Sequence, residues 1–403
     1  MSDHIRIAVA LEGAGWHPAA WREDDAAPTR LTTPGYWRDL VREAEQADVE
    51  FVTIEDSFLL QGSAPAGAER DVVRGRIDAL LIASSVAPHT TRIGLVPTVT
   101  TIHTEPFHVA TSLQTLDHTS RGRAGWRAQV SARPGENDLF GRREQPDLTG
   151  IEPAALAGSA FVRDLFDETA DVIEVVRLLW DSWEDDTVIR DLATGRYIDR
   201  DRIHDPDFEG RFFSVRGASI VPRPPQGQLP VTVLAHATVP YELAARQADL
   251  VYVTPHDDVS AASILAEVRS AEERIGRSSA PLEVYADLLV LVEDTAEDAR
   301  AALDRLDDRA GTPLTSDALV LATTVDDLVA RIRAWHDLGY AGFRLRPARL
   351  PADLRRISRE LLPALQAAGL RTPEASTASI LRDRLGLAPA PNRYAIERKE
   401  VVA

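Results

Sequence analysis

The 403-residue chain contains no cysteine. Disulfides, cysteine nucleophiles and thiolate metal sites are thereby excluded together, and the composition fits a reducing cytoplasm. Lysine is almost as scarce. Lys399 is the only one, so nearly all the positive charge is arginine, which argues against Schiff-base catalysis by a lysine. No apolar run reaches the length of a membrane span. The opening MSDHIRIAVA enters an apolar strand without a basic region and cleavage site, so no secretory leader is expected. Positive charge is also in deficit overall: the formal net charge is −18. Nucleic acid and anionic membrane are therefore disfavoured as partners.

What the chain does have is core. Hydrophobic residues make up 44%, and short apolar runs alternate with amphipathic stretches. Strands are expected at 5–11, 49–56, 92–100, 123–131, 229–237, 248–253, 282–292 and 341–347. Helices are expected at 33–48, with Thr33 as cap and Pro34 at the first position, and at 76–89, 105–120 and 160–183. Further helices fall near 239–247, 258–276, 295–308, 325–338 and 352–368. Alternation of this kind implies parallel strands with crossover helices. A doubly wound sheet shows the same alternation, but a count of eight units favours a closed (β/α)₈ TIM barrel. Residues 1–403 then form one barrel domain, with 371–403 a polar tail packing on the barrel or on a neighbouring subunit.

In such a barrel, chemistry belongs at the C-terminal ends of the strands. Asp56 ends the second strand, and on its own is read most simply as a cap for the next helix. Thr98, Thr100 and Thr101 end the third, where threonine is also an ordinary strand residue. Ser131 ends the fourth. His17 and His103 follow strands one and three and should face the mouth. Trp16 and Trp21 either line a pocket or pack the loop after strand one. His204 stands near Asp201, Asp205 and Asp207, but the spacing matches no ligand pattern; a solvated acidic loop is the simpler reading, and no metal site is expected.

Several ordered segments resemble one family. They are GWHPAAWR (15–22), VTIEDSF (52–58), TRIGLVPTVTTIHTEPFHVATSLQTLDHTSRGRAGW (91–126), VIEVVRLLWDSWEDD (172–186), PPQGQLPV (224–231), LLPALQAAGLR (361–371) and LRDRLGLAPAPNR (381–393). Together they are similar to the bacterial luciferase-like flavin-dependent monooxygenases, in the nitrilotriacetate and dibenzothiophene-sulfone monooxygenase subgroup. The resemblance implies a luciferase-like (β/α)₈ barrel and an FMN-dependent monooxygenase. Reduced FMN would come from a separate flavin reductase, and O₂ would add to it as a C4a-peroxide that oxygenates a small organic substrate. It implies a cytoplasmic homodimer or homotetramer.

The same resemblance assigns residues. Asp56, Thr98 and Ser131 become flavin contacts, with His236, Ala237 and Thr238 at the phosphate turn. Their place after strands one and three, not the resemblance, makes His17 and His103 the catalytic candidates, and Trp16 and Arg127 are placed in the substrate pocket. The sequence also departs from the family. His236 stands where the phosphate turn has glycine, Tyr241 falls near a second lost glycine, and Val162 and Phe166 replace a family His and Tyr. Arg127 replaces an asparagine and Val130 a threonine. The insertion between strands seven and eight is shortened to little more than two helices and a loop at 309–324. Two alternatives therefore stay open: a flavin-binding homologue without catalysis, and an oxidoreductase using the deazaflavin F420. Strand alternation adds a geometric expectation. If Ser131 faces the flavin, Gln129 and Arg127 face inward and Trp126 packs outward. Arg127 then needs a buried anionic partner, for which Asp56 is a candidate.

Overall fold

A computed structural model describes residues 4–61, 72–131, 135–141, 159–372 and 380–395. Eight parallel strands close into a barrel: β1 (Arg6–Leu11), β2 (Phe51–Ile54), β3 (Gly94–Thr100), β4 (Trp126–Gln129), β5 (Val231–Leu234), β6 (Leu250–Val253), β7 (Glu283–Val292) and β9 (Gly342–Pro347). The ring closes through β6–β7 and through β9–β1, where Arg6 faces Gly342. All eight expected strands are barrel strands. Those with wide expected bounds are trimmed, β4 and β5 most, to Trp126–Gln129 and Val231–Leu234.

The outer layer is helical: α1 (Pro34–Gln46), α2 (Ala79–Val86), α3 (Pro106–Ser120), α4 (Ala160–Asp181), α5 (Thr238–Gln247), α6 (Asp258–Ile275), α7 (Ala296–Ala310), α8 (Val325–Leu338) and α9 (Ala352–Arg356). Beyond α9 the chain stays coiled through a π turn at Ile357–Leu361 and on to Ala367. Thr33 does occupy the cap position of α1, but its hydroxyl donates to the Arg30 carbonyl and caps nothing. Two short hairpins, Val188–Asp191 with Arg196–Ile198 and Phe208–Glu209 with Ser214–Val215, interrupt the crossover from α4 to β5.

One element was not expected. The loop at 309–324 contains a ninth strand, β8 (Leu319–Thr323), parallel to the far half of β7. β7 is ten residues long. Its near half pairs with β6 and its far half, on the same edge, with β8, while β9 holds the other edge. β8 is therefore an extension of the mouth wall. Between flanking helices, five mostly half-buried residues carry little periodicity, so the pattern alone reads as loop.

Side chains alternate as the pleat requires. Outward residues such as Ile7, Val9, Val52, Trp126, Phe343 and Leu345 join one large core against the helices. Trp126 meets Trp180 of α4 edge-on at 6.4 Å between ring centroids, the expected outward packing. Inward residues fill the barrel in two chemically different levels. Near the N-terminal ends, Ala8, Phe51, Val96, Leu250, Tyr252 and Tyr285 form a second apolar cluster with Leu381 and Leu385. The short helix Leu381–Arg384 thus plugs the base of the barrel. Gly94 makes room for it: a Cβ there would lie 2.6 Å from a Leu381 methyl.

Candidate active site at the barrel mouth

Above the apolar floor the inward residues are charged. On β9 the positions two apart are Gly342, Arg344 and Arg346; on β2 and just beyond it they are Phe51, Thr53 and Glu55. The Arg344 side chain is fully buried, and its Nη2 lies 2.5 Å from Asp287 of β7. Its Nη1 donates to Glu55 at 3.0 Å and to Thr53 at 3.2 Å. Arg346 donates to Asp287 and, through both Nη atoms, to Asp317 just before β8. Arg127 of β4 pairs with Glu55 at 3.0 Å, and its Nη1 also donates to Thr98 and Gln129.

Burial works against the charge on Asp287, but Arg344 and Arg346 outweigh it and hold the carboxyl below its ordinary range. Burial opposes Glu55 in the same way, and Arg127 and Arg344 outweigh it. For Arg346, burial is more than offset by Asp287 and Asp317, so its pKa lies above the usual value. Arg127 goes the other way: burial lowers its pKa, and Glu55 offsets only part of that. The barrel thus carries an interlocked set of ion pairs in place of a purely aliphatic upper core.

The inward direction of Arg127 and Gln129 is as expected, but the partner is Glu55, not Asp56. Parity explains the correction. Glu55 shares the inward face of Thr53 and Phe51, whereas Asp56 falls on the outward face. Both Asp56 oxygens accept backbone N–H groups, from Ser57 at 2.7 Å and from Ala79, the first residue of α2, at 2.9 Å. Its backbone carbonyl accepts from Gln129. Counting by twos from Phe51 would have found Glu55 in the sequence.

The other site candidates are dispersed around the mouth. Thr98 accepts from Arg127 and keeps its own proton to donate. The Ser131 hydroxyl bonds to the buried Glu136. Thr238 opens α5 and donates to Glu267 at 2.9 Å, and Ala237 before it gives the helix no side-chain cap. His236 is exposed above them. The ring of His17 is fully buried, with both nitrogens engaged. Nδ1 accepts from the Ala19 N–H, which leaves the proton on Nε2, 3.0 Å from Asp307 of α7. Burial lowers its pKa, against the pull of Asp307. His103 stacks on Phe140 at 4.7 Å and lines a separate cavity of about 220 Å³ with Glu168 and Phe213. His204 meets Glu184 at 2.9 Å and stacks on Tyr394. Among the described residues no group of acidic and histidine side chains is arranged to hold a metal.

Trp16 lies beneath the Arg346 guanidinium at 4.6 Å, with its indole N–H on the Ala10 carbonyl. Gly15 permits this loop: at φ +128°, a Cβ there would lie 2.3 Å from the Ala348 carbonyl oxygen. Trp16 and His17 then extend the sheet by bonding to the carbonyls of Pro347 and Ala348. Beside them opens a mouth cavity of about 400 Å³, lined by the loop after β1, by Gln61, Val72 and Val73, and by Thr312–Thr315 from the β7–β8 connection. Glu12, the first residue past β1, lines it and was missed from the sequence. A carboxylate directly after a barrel strand is the signal that marks it.

A barrel of this topology with its polar groups at the C-terminal mouth is the frame of a TIM-barrel enzyme. Residues 14–337 match the family model described as luciferase-like monooxygenase. The chain belongs to that family. It is 33% identical over 74% of its length to nitrilotriacetate monooxygenase component A of Aminobacter aminovorans, and 30% identical over 75% to N-acetyl-S-(2-succino)cysteine monooxygenase of Bacillus subtilis (strain 168). The matched region spans 64% and 65% of those relatives' own length. In fold it is similar to EDTA monooxygenase from Chelativorans sp. BNC1, with TM-score 0.81, 20% identity, and 96% of this chain and 99% of that one covered. It is also similar to a riboflavin lyase solved with modified FMN and riboflavin, with TM-score 0.82, 21% identity and 96% of each chain covered. At such identity these two likenesses speak for the fold alone. No described helix is long and apolar enough to cross a membrane.

Proposed function

We propose that the chain is the oxygenating component of a two-component, flavin-dependent monooxygenase. In this reading it takes reduced FMN from a separate reductase and oxygenates a small organic substrate with O₂, as a cytoplasmic homodimer or homotetramer. The observation that carries the reading is the family match over residues 14–337 on a barrel whose open polar cavity lies at the C-terminal mouth. The residues present fit the cofactor at two points. The uncapped start of α5 after Ala237 suits a phosphate, since helix N-terminal N–H groups bind anions. The remaining Thr98 proton suits a carbonyl edge of the ring. Reduced flavin, when bound, supplies the electrons that activate O₂. The chain's part is to hold it, with Arg127 fixed level with Thr98 and Gln129 one step nearer the mouth, and to exclude water from the cavity.

Anaerobic titration with reduced FMN, followed by tryptophan fluorescence, tests this. Saturable binding is expected, and its absence ends the reading. A second reading, a homologue that has lost catalysis, draws on one observation: Thr238 is already committed to Glu267, and Asp56 to backbone N–H groups. It predicts binding without substrate-dependent oxygen uptake. Titration with F420 in parallel decides the cofactor.

A further inference from the structure

The mouth cavity has an unusual balance of hydrogen-bonding groups. Glu12 lines it with a side chain that is 16% exposed. Its Oε1 accepts from Gln61 at 3.2 Å and from Arg76 at 3.1 Å. Among the described residues both hydrogen bonds of this carboxylate use Oε1, which leaves Oε2 to the cavity. The neighbouring Gln61, Trp16 and His17 donors are already engaged. Gln61 bonds to Glu12 and to Gly75, Trp16 to Ala10, and His17 to Asp307. The exposed Thr312 and Thr315 add hydroxyls on the opposite wall. Among the described lining residues there is no arginine or lysine.

We infer that this cavity selects a small molecule bearing a primary amine on an apolar or aromatic body, with Glu12 as the specificity-determining residue. The inference rests on reading the cavity as the substrate site of the proposed monooxygenase. An anionic ligand would meet a carboxylate oxygen with no arginine or lysine among the described lining residues to offset it, and that mismatch costs affinity. An ammonium finds an acceptor at Oε2, hydroxyl acceptors across the cavity, and the faces of Trp16, Val72 and Leu314 for its body. The local field agrees. Burial raises the Glu12 pKa; Arg76 opposes, and Glu55 and Asp56 add to the rise. Burial itself gives a ligand cation no advantage, but the negative charges of Glu55 and Asp56 favour one beside Glu12. The selectivity would differ from that suggested by the names of nitrilotriacetate and EDTA monooxygenases, whose substrates are polycarboxylates.

The test uses benzylamine and benzoate, which match in size and differ in charge. Binding to the full chain is measured by calorimetry or saturation-transfer NMR at roughly 0.15 M salt, where long-range attraction to the acidic surface is screened. Benzylamine is expected to bind at least about tenfold tighter than benzoate, a difference of about 1.4 kcal/mol. Glu12→Gln should abolish the preference. Thr312→Lys, on the exposed wall where folding is not at stake, should shift it toward benzoate. Equal or tighter benzoate binding, no binding of either probe, or a preference unchanged in both variants overturns the inference. The flavin titration is independent. Amine binding through Glu12 without flavin binding would remove the functional reading and leave this one standing, and the converse would do the reverse.

Discussion

The two ends of this barrel solve the same packing problem with opposite chemistry. The base is sealed by hydrocarbon: Leu381 and Leu385 fill the space beneath Phe51, Val96 and Tyr285. It is then tied from outside by arginines of the C-terminal segments. Arg371 pairs with Glu50, and Arg384 donates to the Glu50 carbonyl. The mouth is held by ion pairs among Arg127, Arg344, Arg346, Glu55, Asp287 and Asp317. A hydrocarbon plug is indifferent to which ligand arrives at the other end. A charged lattice fixes directions and leaves polar edges, so it can position a ligand, but each member depends on the others.

The contrast makes graded predictions. The largest effect is expected at the mouth. Asp287→Asn leaves Arg344 and Arg346 short of a buried counter-charge and should cost about 3–5 kcal/mol in urea unfolding. A change under about 1 kcal/mol would mean that the network is not a unit. At the base, Leu381→Ala should cost about 3 kcal/mol by opening a void, while leaving benzylamine or FMN affinity within about twofold of the parent. A parallel loss of ligand binding would break the separation of the two ends.

Asp117 comes next. It is buried near the base, accepting from Gln226 and Ala124, and Gln226 in turn holds the Arg382 N–H of the plug. Burial pushes its pKa up to about 6. A folded-state pKa above the unfolded value means that the folded chain binds the extra proton. Asp117 is therefore expected to lower stability as pH rises from about 4 to about 6, by roughly 1–3 kcal/mol in all. Urea midpoints across that window should slope downward more in the parent than in Asp117→Asn. Parallel slopes would show that the proton is taken up elsewhere.

The smallest effect compares neighbours on one strand. Arg127→Ala should cost about 2 kcal/mol, less than Asp287→Asn because Glu55 keeps Arg344. Trp126→Phe should cost about 1 kcal/mol, for the lost bond to the Val99 carbonyl and a small void. Only the arginine change should also weaken flavin binding. Equal effects on both readouts would mean that the two faces of β4 are not as distinct as their burial suggests.

Periodicity made most of the fold legible. Alternating buried strands and amphipathic helices specify a parallel barrel, because each strand buries both faces and each crossover helix only one. It failed at β8, a strand that exists because β7 outruns β6 and leaves an edge to be paired. The site was legible only as strand ends. Asp56 attracted attention by its place in VTIED, yet side-chain parity handed the inward role to Glu55. His17 lay in the right loop, but Asp307, 290 residues away in sequence, holds its ring shut. Glu12 passed unnoticed because one carboxylate in an acidic chain carries no pattern.

The sequence by itself therefore determined the class of architecture, the inward and outward faces of β4, the lack of thiol chemistry and the family. Tertiary structure decided which charges meet. Arg127, Arg344 and Arg346 come from strands more than 200 residues apart, and their carboxylate partners from three other segments. Local pattern can show that a buried arginine needs a counter-charge. Only closing the barrel brings one within 3 Å.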